Sequence, residues 1–276
     1  MTATVAQALA AAGLDRVDAQ VLLLHALGRP GHDRAWLRAH DTDPLPDTVR
    51  ATFEALCARR RNGEPVAYLT GHKAFYGLDL AVDARVLDPR PDTETLVDWV
   101  LECVRPLTHP VLVDLGTGSG AIALALAAQR ADAQVHAVDA SADALAVAQA
   151  NAHRLGLAVA LHRGNWLAAV PTGQRFDAIV SNPPYIREGD PHLAALGHEP
   201  MQALVSGADG LDDIRAIVVQ ARSHLLPGGW LLLEHGHDQA DAVCALLRQA
   251  GYTAVDSRTD LAGIRRCSGG RLATLG

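Results

Sequence analysis

The chain lacks any apolar run of roughly 18 residues or more, the length that a helix needs to cross a bilayer. Its first residues also lack the basic segment that opens a secretory signal peptide. Hydrophobic residues make up 49% of the 276 positions and charged residues 20%, as in ordinary soluble globular proteins. We therefore expect a cytoplasmic protein without membrane contact, folded as one large domain or two modest ones.

The sequence also has no excess of basic residues and few cysteines. Its formal net charge is −7, whereas sequence-independent binding to nucleic acid needs a basic surface that displaces counterions. The four cysteines lie far apart without a Cys-x-x-Cys pair, so we expect small buried residues in a reducing compartment. His235 and His237 are close together, but no third ligand follows at metal-motif spacing. We predict neither a metal site nor direct nucleic-acid binding.

The first part of the chain has apolar residues at helical spacing. Val17, Val21 and Leu24 lie at positions i, i+4 and i+7, which predicts one apolar stripe on an amphipathic helix. Clusters of glycine, proline and asparagine separate this helix from others like it. We predict a small all-helical N-terminal domain over residues 1–72.

A hairpin and a linker are predicted over residues 73–105. Apolar and polar residues alternate from Phe75 onward, with Gly77 near the expected turn. A Pro-Arg-Pro segment follows, after which Asp92 or Thr93 is suited to cap the next helix.

Strands and helices alternate in the remainder of the chain, residues 106–276. The predicted strands are 111–115, 135–138, 159–162, 176–181 and 230–234, and the predicted helices are 121–130, 142–155, 214–226 and 239–250. Repeated βα units of this length imply a parallel sheet with helices on both faces. A Pro-Gly-Gly turn is predicted at 227–229, and the last two strands, around Val255 and Ile264, predict an antiparallel edge.

A glycine-rich loop follows the first buried strand of this region and opens a helix. The loop consists of Gly116, Thr117, Gly118, Ser119 and Gly120. Glycines let the backbone turn tightly and approach a ligand closely. The Gly-x-Gly-x-Gly spacing differs from the Gly-x-Gly-x-x-Gly of dinucleotide binders, which favours a cofactor without a pyrophosphate, such as S-adenosylmethionine.

Three further residues are predicted to contact this cofactor. Asp139 ends the second strand about twenty residues after the loop, where its carboxylate can accept both ribose hydroxyls. The alternative role of Asp139 is to cap the following helix, but Ser141 already offers a cap. Asn165 and Trp166 follow the third strand, where the indole suits an adenine ring and the Asn165 oxygen suits its amino group. Edge packing is the alternative for a lone Trp in a loop.

An Asn-Pro-Pro-Tyr segment closes the apolar strand 176–181, at the edge where open α/β sheets bind ligands. The Asn182 oxygen accepts hydrogen bonds, and Pro183 and Pro184 fix the backbone so that the Pro183 carbonyl becomes a second acceptor. Tyr185 supplies a flat wall. Two acceptors can hold an NH₂ group and turn its nitrogen toward a methyl donor, which predicts methyl transfer to an amide or amino nitrogen. A proline-rich structural turn is the alternative.

With these segments, the chain resembles the HemK/PrmC family of protein-(glutamine-N5) methyltransferases, which act on class I peptide-chain release factors. The similar segments are 63–71, 89–94, 114–120, 180–186, 199–200 and 207–211. The segment 89–94 resembles the linker signature of the family and is the specific part, since other methyltransferases share the glycine loop and the Asn-Pro-Pro-Tyr segment. The resemblance extends over nearly the whole chain.

This resemblance implies a fold and an activity. It implies a Rossmann-like class I S-adenosylmethionine methyltransferase domain with a seven-stranded, mostly parallel sheet, preceded by a helical domain that docks the release factor. Asn182 and the Pro183 carbonyl would hold the Gln side chain of a Gly-Gly-Gln motif, and Asn182 would also face the cofactor. S-adenosylhomocysteine would be the second product, and we expect a monomer. The chain departs from the family pattern at Ala74, Asp88 and Asn165, where Glu, an apolar residue and Asp are usual.

Other functions fit parts of the pattern. An N6-adenine nucleic-acid methyltransferase needs the same acceptors and stacking wall, but it predicts an added basic domain with aromatic residues. Glutamine methylation of a ribosomal protein by a close paralogue fits the same catalytic residues. A binding module that kept the fold without catalysis would be expected to lose Asn182 or the glycines.

Overall fold

The computed structural model describes residues 3–274, which divide into two units. One unit comprises the chain up to His72 together with Ala194–His198, and the other comprises Lys73–Leu193 and the chain from Glu199 onward. Within residues 3–274, no helix combines the length and apolar character needed to span a membrane.

The N-terminal unit is a bundle of helices. Its helices are α1 (Val5–Ala11), α2 (Arg16–Ala26), α3 (Arg34–Ala39), α4 (Asp47–Arg61) and α5 (Val66–Thr70). Side chains cap the first three helices: Thr4 forms a reciprocal capping box with Gln7, and Asp15 and Asp33 each accept a backbone N–H of the first turn. The core of this bundle includes Leu22, Leu23 and Phe53, all nearly inaccessible to solvent.

The predicted apolar stripe of α2 is wrong in one respect. Val17 is 45% exposed, while Ala19, Leu22 and Leu23 are buried. The buried face therefore follows positions i, i+3 and i+4 from Ala19, because four consecutive apolar residues at the helix centre allowed more than one stripe.

The second unit contains the sheets, except that His72, the first residue of the first strand, is counted with the N-terminal unit. Its strands and helices are β1 (His72–Phe75), β2 (Leu78–Ala81), α6 (Glu94–Val104), β3 (Val111–Leu115), α7 (Ala121–Gln129), β4 (Gln134–Asp139), α8 (Ala142–Leu155), β5 (Ala160–Arg163), β6 (Phe176–Ser181), α9 (Asp212–His224), β7 (Leu225–Glu234), α10 (Ala240–Gln249), β8 (Tyr252–Thr259) and β9 (Arg265–Leu272). Short 3₁₀ helices lie at Pro91–Thr93, Trp166–Ala169, Pro191–Leu196 and Met201–Ala203. Gly77 lies in the turn between β1 and β2, as predicted, and it and Tyr76 both have positive φ, as a two-residue hairpin turn requires.

Seven strands form the main sheet in the order β5-β4-β3-β6-β7-β9-β8. Strands β5, β4, β3, β6 and β7 pair in parallel, and β9 pairs antiparallel with both β7 and β8. The predicted fold and the antiparallel closing pair are confirmed. The chain moves outward from β3 through β4 to β5 and then returns to β6. The strand order therefore reverses between β3 and β6, and a crevice opens at their carboxyl ends.

Strand β7 begins earlier than the sequence predicted. The predicted turn at 227–229 lies inside the strand, and helix α9 ends at His224 instead of residue 226. Leu225 already pairs with Phe176, and the register shifts before Trp230 pairs with Ala178. A Cβ on Gly229 would lie 3.0 Å from the Asp177 carbonyl oxygen, so this glycine permits a bulged strand to pass close to its neighbour.

Candidate active site

A cavity of about 320 Å³ opens at the reversal point of the sheet. The predicted site residues that line it are Gly116, Gly118, Asp139, Asn165, Trp166, Asn182 and Pro184. They come from the last residue of β4 and from the loops that follow β3, β5 and β6, because parallel strands bring their carboxyl ends to one edge of the sheet.

The glycine loop turns sharply away from β3. Gly116, Gly118 and Gly120 have φ values of +73°, +55° and +86°, a region that favours glycine. The Gly116 N–H donates to the Val138 carbonyl at 2.8 Å, which ties the start of the loop to β4. A Cβ on Gly116 would lie 3.4 Å from the Trp166 ring, so a side chain there would crowd the cavity wall.

Asp114 anchors this loop from beneath. It is the fourth residue of β3 and is fully buried. Its Oδ2 accepts the Thr117 hydroxyl at 2.6 Å and the Ala123 N–H at 3.2 Å, which joins the loop to the start of α7. Burial raises the pKa of this carboxyl to about 7, although both hydrogen bonds oppose the rise. The sequence motif contained Asp114 without indicating this role.

Three predicted loop residues do not line the cavity but shape the loop. Thr117 is buried, and its hydroxyl donates to Asp114. The Ser119 carbonyl accepts the buried Asn151 amide at 2.9 Å. Gly120 has a φ of +86°, and a Cβ there would lie 2.9 Å from the Leu124 side chain and 3.3 Å from the Ala148 Cβ, so glycine is favoured at the start of α7.

Asp139 is held at both carboxylate oxygens. Its Oδ2 accepts the Gly118 N–H at 2.9 Å, and its Oδ1 accepts the Ser141 N–H at 2.9 Å. Ser141 caps α8 through the Ala144 N–H, as predicted, so Asp139 is not needed as the cap. Each carboxylate oxygen keeps a lone pair that can accept a further donor, and the side chain lies on the cavity.

Asn165 and Trp166 form the wall beyond Asp139. Trp166 has a φ of +48°, an unusual value for a bulky residue, and its ring both lines the cavity and packs against the core. The following N–H, of Leu167, donates to the Gln220 side chain at 3.1 Å and fixes the turn. The indole is thereby available to a planar ring, while Asn165 is exposed beside it.

The Asn-Pro-Pro-Tyr segment leaves β6 as a fixed corner. Ser181 donates its hydroxyl to the Leu115 carbonyl at 2.6 Å, which ties the end of β6 to the end of β3. The Asn182 amide donates through Nδ2 to the Thr93 hydroxyl oxygen at 3.3 Å. Pro183 is buried, and Pro184 lines the cavity.

Tyr185 is partly buried, and the cavity described above is not lined by it. Its carbonyl accepts the Gln239 side-chain amide at 3.0 Å. A Cβ on Gly210 would come within 2.3 Å of that carbonyl oxygen, so the glycine is required for this close approach. Burial raises the pKa of the Tyr185 phenol well above its usual value. The segment after Tyr185 continues this packing, because Ile186 exchanges backbone hydrogen bonds with Leu204 and Ser206.

Several cavity residues had no role in the sequence prediction. They are Arg85, Val86, Leu87, Pro200, Gln202, Ala203 and Asp213. Those from 85–87 and 200–203 are close in sequence to an ion cluster with buried carboxylates, in which Arg90 donates to Glu199 at 2.5 Å. Asp88 pairs with Lys73 at 3.0 Å and lies 3.6 Å from Arg90. This pairing accommodates Asp88 where the family usually has an apolar residue.

The sequence predicted either Asp92 or Thr93 as the cap of helix α6. Thr93 occupies the position before α6 but makes no side-chain cap bond. Its hydroxyl instead faces Asn182 and Glu234, so its role belongs to the acceptor corner. The sequence signal was its place within the linker signature, 89–94.

Replacing Gly118 with Ala tests whether the loop faces a ligand. Gly118 and Gly156 both have positive φ, and nothing lies within 4 Å of a Cβ at either position. Both Ala variants should therefore lose a similar stability of roughly 1–2 kcal/mol from backbone strain. Of these two glycines, Gly118 lines the cavity and Gly156 does not. Gly118→Ala alone should therefore weaken S-adenosylmethionine binding, by roughly tenfold. Calorimetric titration of both variants measures this; equal affinities would remove Gly118 from the cofactor site.

Comparison with known proteins gives consistent matches. Residues 2–71 match the family model described as the PrmC N-terminal domain, and residues 93–240 match the methyltransferase small domain. A release factor glutamine methyltransferase of Bordetella pertussis is 51% identical over 96% of this chain and 97% of its own length. One from Burkholderia pseudomallei is 48% identical over 98% of this chain and 96% of its own length.

Solved structures share the fold at low sequence identity. A methyltransferase from Pyrococcus furiosus superposes with a TM-score of 0.54 at 20% identity, covering 78% of this chain and 97% of that one. The T. thermophilus 16S rRNA N2 G1207 methyltransferase, solved with AdoMet and guanosine, gives a TM-score of 0.55 at 21% identity, covering 73% and 49% of the two chains.

Proposed function

The chain belongs to the release factor glutamine methyltransferase family, and we propose that it methylates the side-chain amide nitrogen of the Gln in the Gly-Gly-Gln motif of class I peptide-chain release factors. The observation that carries this proposal is the orientation of Asn182. Its Nδ2 is engaged by Thr93, so its Oδ1 is left to accept a hydrogen bond from a ligand. An acceptor beside a cofactor cavity suits a substrate that offers an NH₂ group.

S-adenosylmethionine fits the residues of the cavity. Gly118 leaves open space where any other residue would place a side chain, and Asp139 has lone pairs for two ribose hydroxyls. Trp166 offers a ring face, and Asn165 offers an oxygen for the adenine amino group. We assign Gly116, Thr117, Gly118, Ser119, Gly120, Asp139, Asn165, Trp166 and Asn182 to this cofactor. When bound, it would supply a methyl group on a positively charged sulfur, and the sulfur would leave readily as a neutral thioether.

The acceptor corner prepares the nitrogen. An amide nitrogen is a poor nucleophile because its lone pair is delocalised into the carbonyl. Asn182 Oδ1 and the Pro183 carbonyl would each accept one N–H of the target, which pulls electron density toward nitrogen and fixes its direction. Pro184 keeps the backbone rigid and Tyr185 closes the corner. Positioning of this kind can remove roughly 7–11 kcal/mol from a barrier. The nitrogen would gain the methyl group, the electron pair of the broken methyl–sulfur bond would stay on sulfur to give S-adenosylhomocysteine, and one N–H proton would pass to water.

The helical unit has a proposed role of its own. We assign residues 1–72 to docking of the release factor, residues 73–105 to the hairpin and linker, and residues 106–276 to catalysis. The match of residues 2–71 to the PrmC N-terminal domain supports the first assignment. We also propose that the protein acts in the cytoplasm as a monomer, without direct contact to nucleic acid.

Locating the transferred methyl group tests the proposed function. The protein is incubated with methyl-labelled S-adenosylmethionine and a purified class I release factor, and the digested factor is analysed by mass spectrometry. We expect one label, on the side-chain nitrogen of the Gly-Gly-Gln glutamine. Label confined to another residue, or transfer to an adenine-containing oligonucleotide in its place, would refute the proposal.

A release factor whose target Gln is replaced by Glu should be rejected. A carboxylate offers no NH₂ group, so two buried acceptors lose their donors at a cost of about 1–3 kcal/mol each, and charge repulsion adds to this. Methyl ester formation should be at least roughly 100-fold slower than amide methylation. The ester is measured by base-labile label under the same conditions, and comparable rates for the two factors would contradict the acceptor geometry.

A further inference from the structure

Glu234 is a buried carboxylate that no step described above uses. It is the last residue of β7, the strand beside β6, and is 2% exposed. The Thr93 hydroxyl and the Asn182 amide face Glu234, and hydrogen bonding from each of them lowers its pKa against the larger effect of burial. Its Oε2 has no hydrogen-bond partner among the described residues. Thr93 itself is buried and accepts the Asn182 amide at 3.3 Å. The three side chains therefore form one hydrogen-bonded cluster behind the acceptor corner.

When Glu234 is ionised, the hydrogen bonds of this cluster can run in only one direction. An ionised carboxylate only accepts hydrogen bonds, so the Thr93 hydroxyl must donate its hydrogen bond to Glu234. The Thr93 oxygen is then left as an acceptor toward Asn182. Only the NH₂ end of the Asn182 amide can face such a pair, which turns Oδ1 the other way. A neutral amide at position 234 would lose this polarity, because it can donate to Thr93 and release the Thr93 hydroxyl to donate to Oδ1.

We propose that Glu234, acting through Thr93, is a positioning residue that sets the amide of Asn182 with its oxygen toward the substrate nitrogen. This inference rests on the proposed function, since it gives the orientation of Asn182 a purpose in amide methylation. Both partners lie at the ends of their elements: Glu234 ends β7, and Thr93 ends the 3₁₀ turn before α6. The sheet thus supplies the acceptor from β6 and its orienting carboxylate from the adjacent β7.

The charged groups around Glu234 have opposing effects on its pKa. Asp92 raises its pKa and Arg266 lowers it, while Arg266 also pairs with Asp260 at 3.2 Å. Tyr185 and Cys267 also face Glu234; burial is the main reason that the pKa of each is raised, and the charge of Glu234 adds to the rise. Burial is the main influence and raises the pKa of Glu234 to about 7. The orienting charge is therefore present above about pH 7 and is lost below it.

Ionising Glu234 also opposes folding. Its pKa is higher in the folded chain than in the unfolded chain. The neutral carboxyl therefore makes its full contribution to the free energy of unfolding below about pH 4.5, and this contribution is lost as the pH rises through about 7. Glu234→Gln stays neutral throughout and should melt at the same temperature as the parent or higher at pH 8. If Glu234 had only a structural role, Glu234→Gln would instead lower the melting temperature at pH 8.

The Glu234→Gln variant tests the proposal with the full-length enzyme. We expect kcat to fall roughly tenfold or more at saturating S-adenosylmethionine, with cofactor affinity within a few-fold of the parent. The rise of the parent rate through about pH 7 should be absent in the variant. Thr93→Val should show the same loss, and Thr93→Ser should restore much of it. In an Asn182→Ala background, Glu234→Gln should have no further effect.

A measurement without substrate separates this inference from the proposed function. The Asn182 side-chain NH₂ signals, assigned by nuclear magnetic resonance through comparison with Asn182→Ala, should shift with pH around 7 in the parent and stay constant in Glu234→Gln. If the release factor acquires no label but the Asn182 NH₂ signals of the parent still shift with pH, the proposed function alone is overturned. A Glu234→Gln variant with parental kcat, or with the NH₂ titration unchanged, would overturn the inference even if release factors are methylated.

Discussion

Asn182→Ala is expected to reduce the rate of methyl transfer by roughly 100- to 1,000-fold, the size of effect seen when one preorganised hydrogen-bonding group is removed from an active site. The side chain provides one of the two proposed acceptors, and Thr93 holds it in a single orientation. The proposed cofactor contacts of Asp139 and the glycine loop remain in this variant. Affinity for S-adenosylmethionine should therefore stay within a few-fold of the parent.

Asn165→Ala is the matched comparison, because it removes the same group from a different part of the cavity wall. It should weaken cofactor binding and leave kcat at saturating cofactor close to the parental value. Single-turnover rates and calorimetry on both variants separate the two effects. If Asn182→Ala turns over within a few-fold of the parent, Asn182 is not the acceptor.

Asp139→Ala should give the second large effect, on cofactor affinity. The carboxylate is held by the Gly118 and Ser141 N–H groups and faces the cavity. Its loss should remove the two proposed charge-assisted bonds to the ribose and the bond that ties the loop at Gly118. At about 1.5–3 kcal/mol for each bond to a charged group, the dissociation constant should rise roughly 100-fold or more.

Asp143→Ala is the control for this change, since Asp143 is an exposed carboxylate in the first turn of the same helix, α8. Its replacement removes a negative charge near the helix start without touching the cavity, and affinity should be unchanged. Isothermal titration with S-adenosylhomocysteine checks both variants. A dissociation constant for Asp139→Ala within threefold of the Asp143→Ala value would exclude the ribose role.

The central strands were predictable because they are buried on both faces. Strands β3 and β6 have the predicted bounds, Val111–Leu115 and Phe176–Ser181, since each is a short apolar run that ends in a distinctive loop. Parallel strands place such loops at one edge of the sheet. The sequence alone therefore predicts that the glycine loop, Asp139 and Asn182 lie close together, and all three contribute to one cavity.

Features that depend on long-range contacts were not predictable. The start of β7 depends on a bulged pairing with β6, and the buried face of α2 depends on which of several apolar residues meets the other helices. The role of Thr93 depends on Asn182, which lies 89 residues away. Glu234 had a usable signal, because a carboxylate ending a buried strand is the pattern that Asp139 also shows.

A crystal structure with S-adenosylhomocysteine and a release factor bound measures the acceptor geometry directly. We expect the side-chain nitrogen of the Gly-Gly-Gln glutamine within hydrogen-bond distance of Asn182 Oδ1 and the Pro183 carbonyl, with Asn182 Nδ2 still on Thr93. The nitrogen should also point toward the sulfur. A bound glutamine that contacts neither oxygen, or an Asn182 amide turned with its oxygen on Thr93, would contradict this.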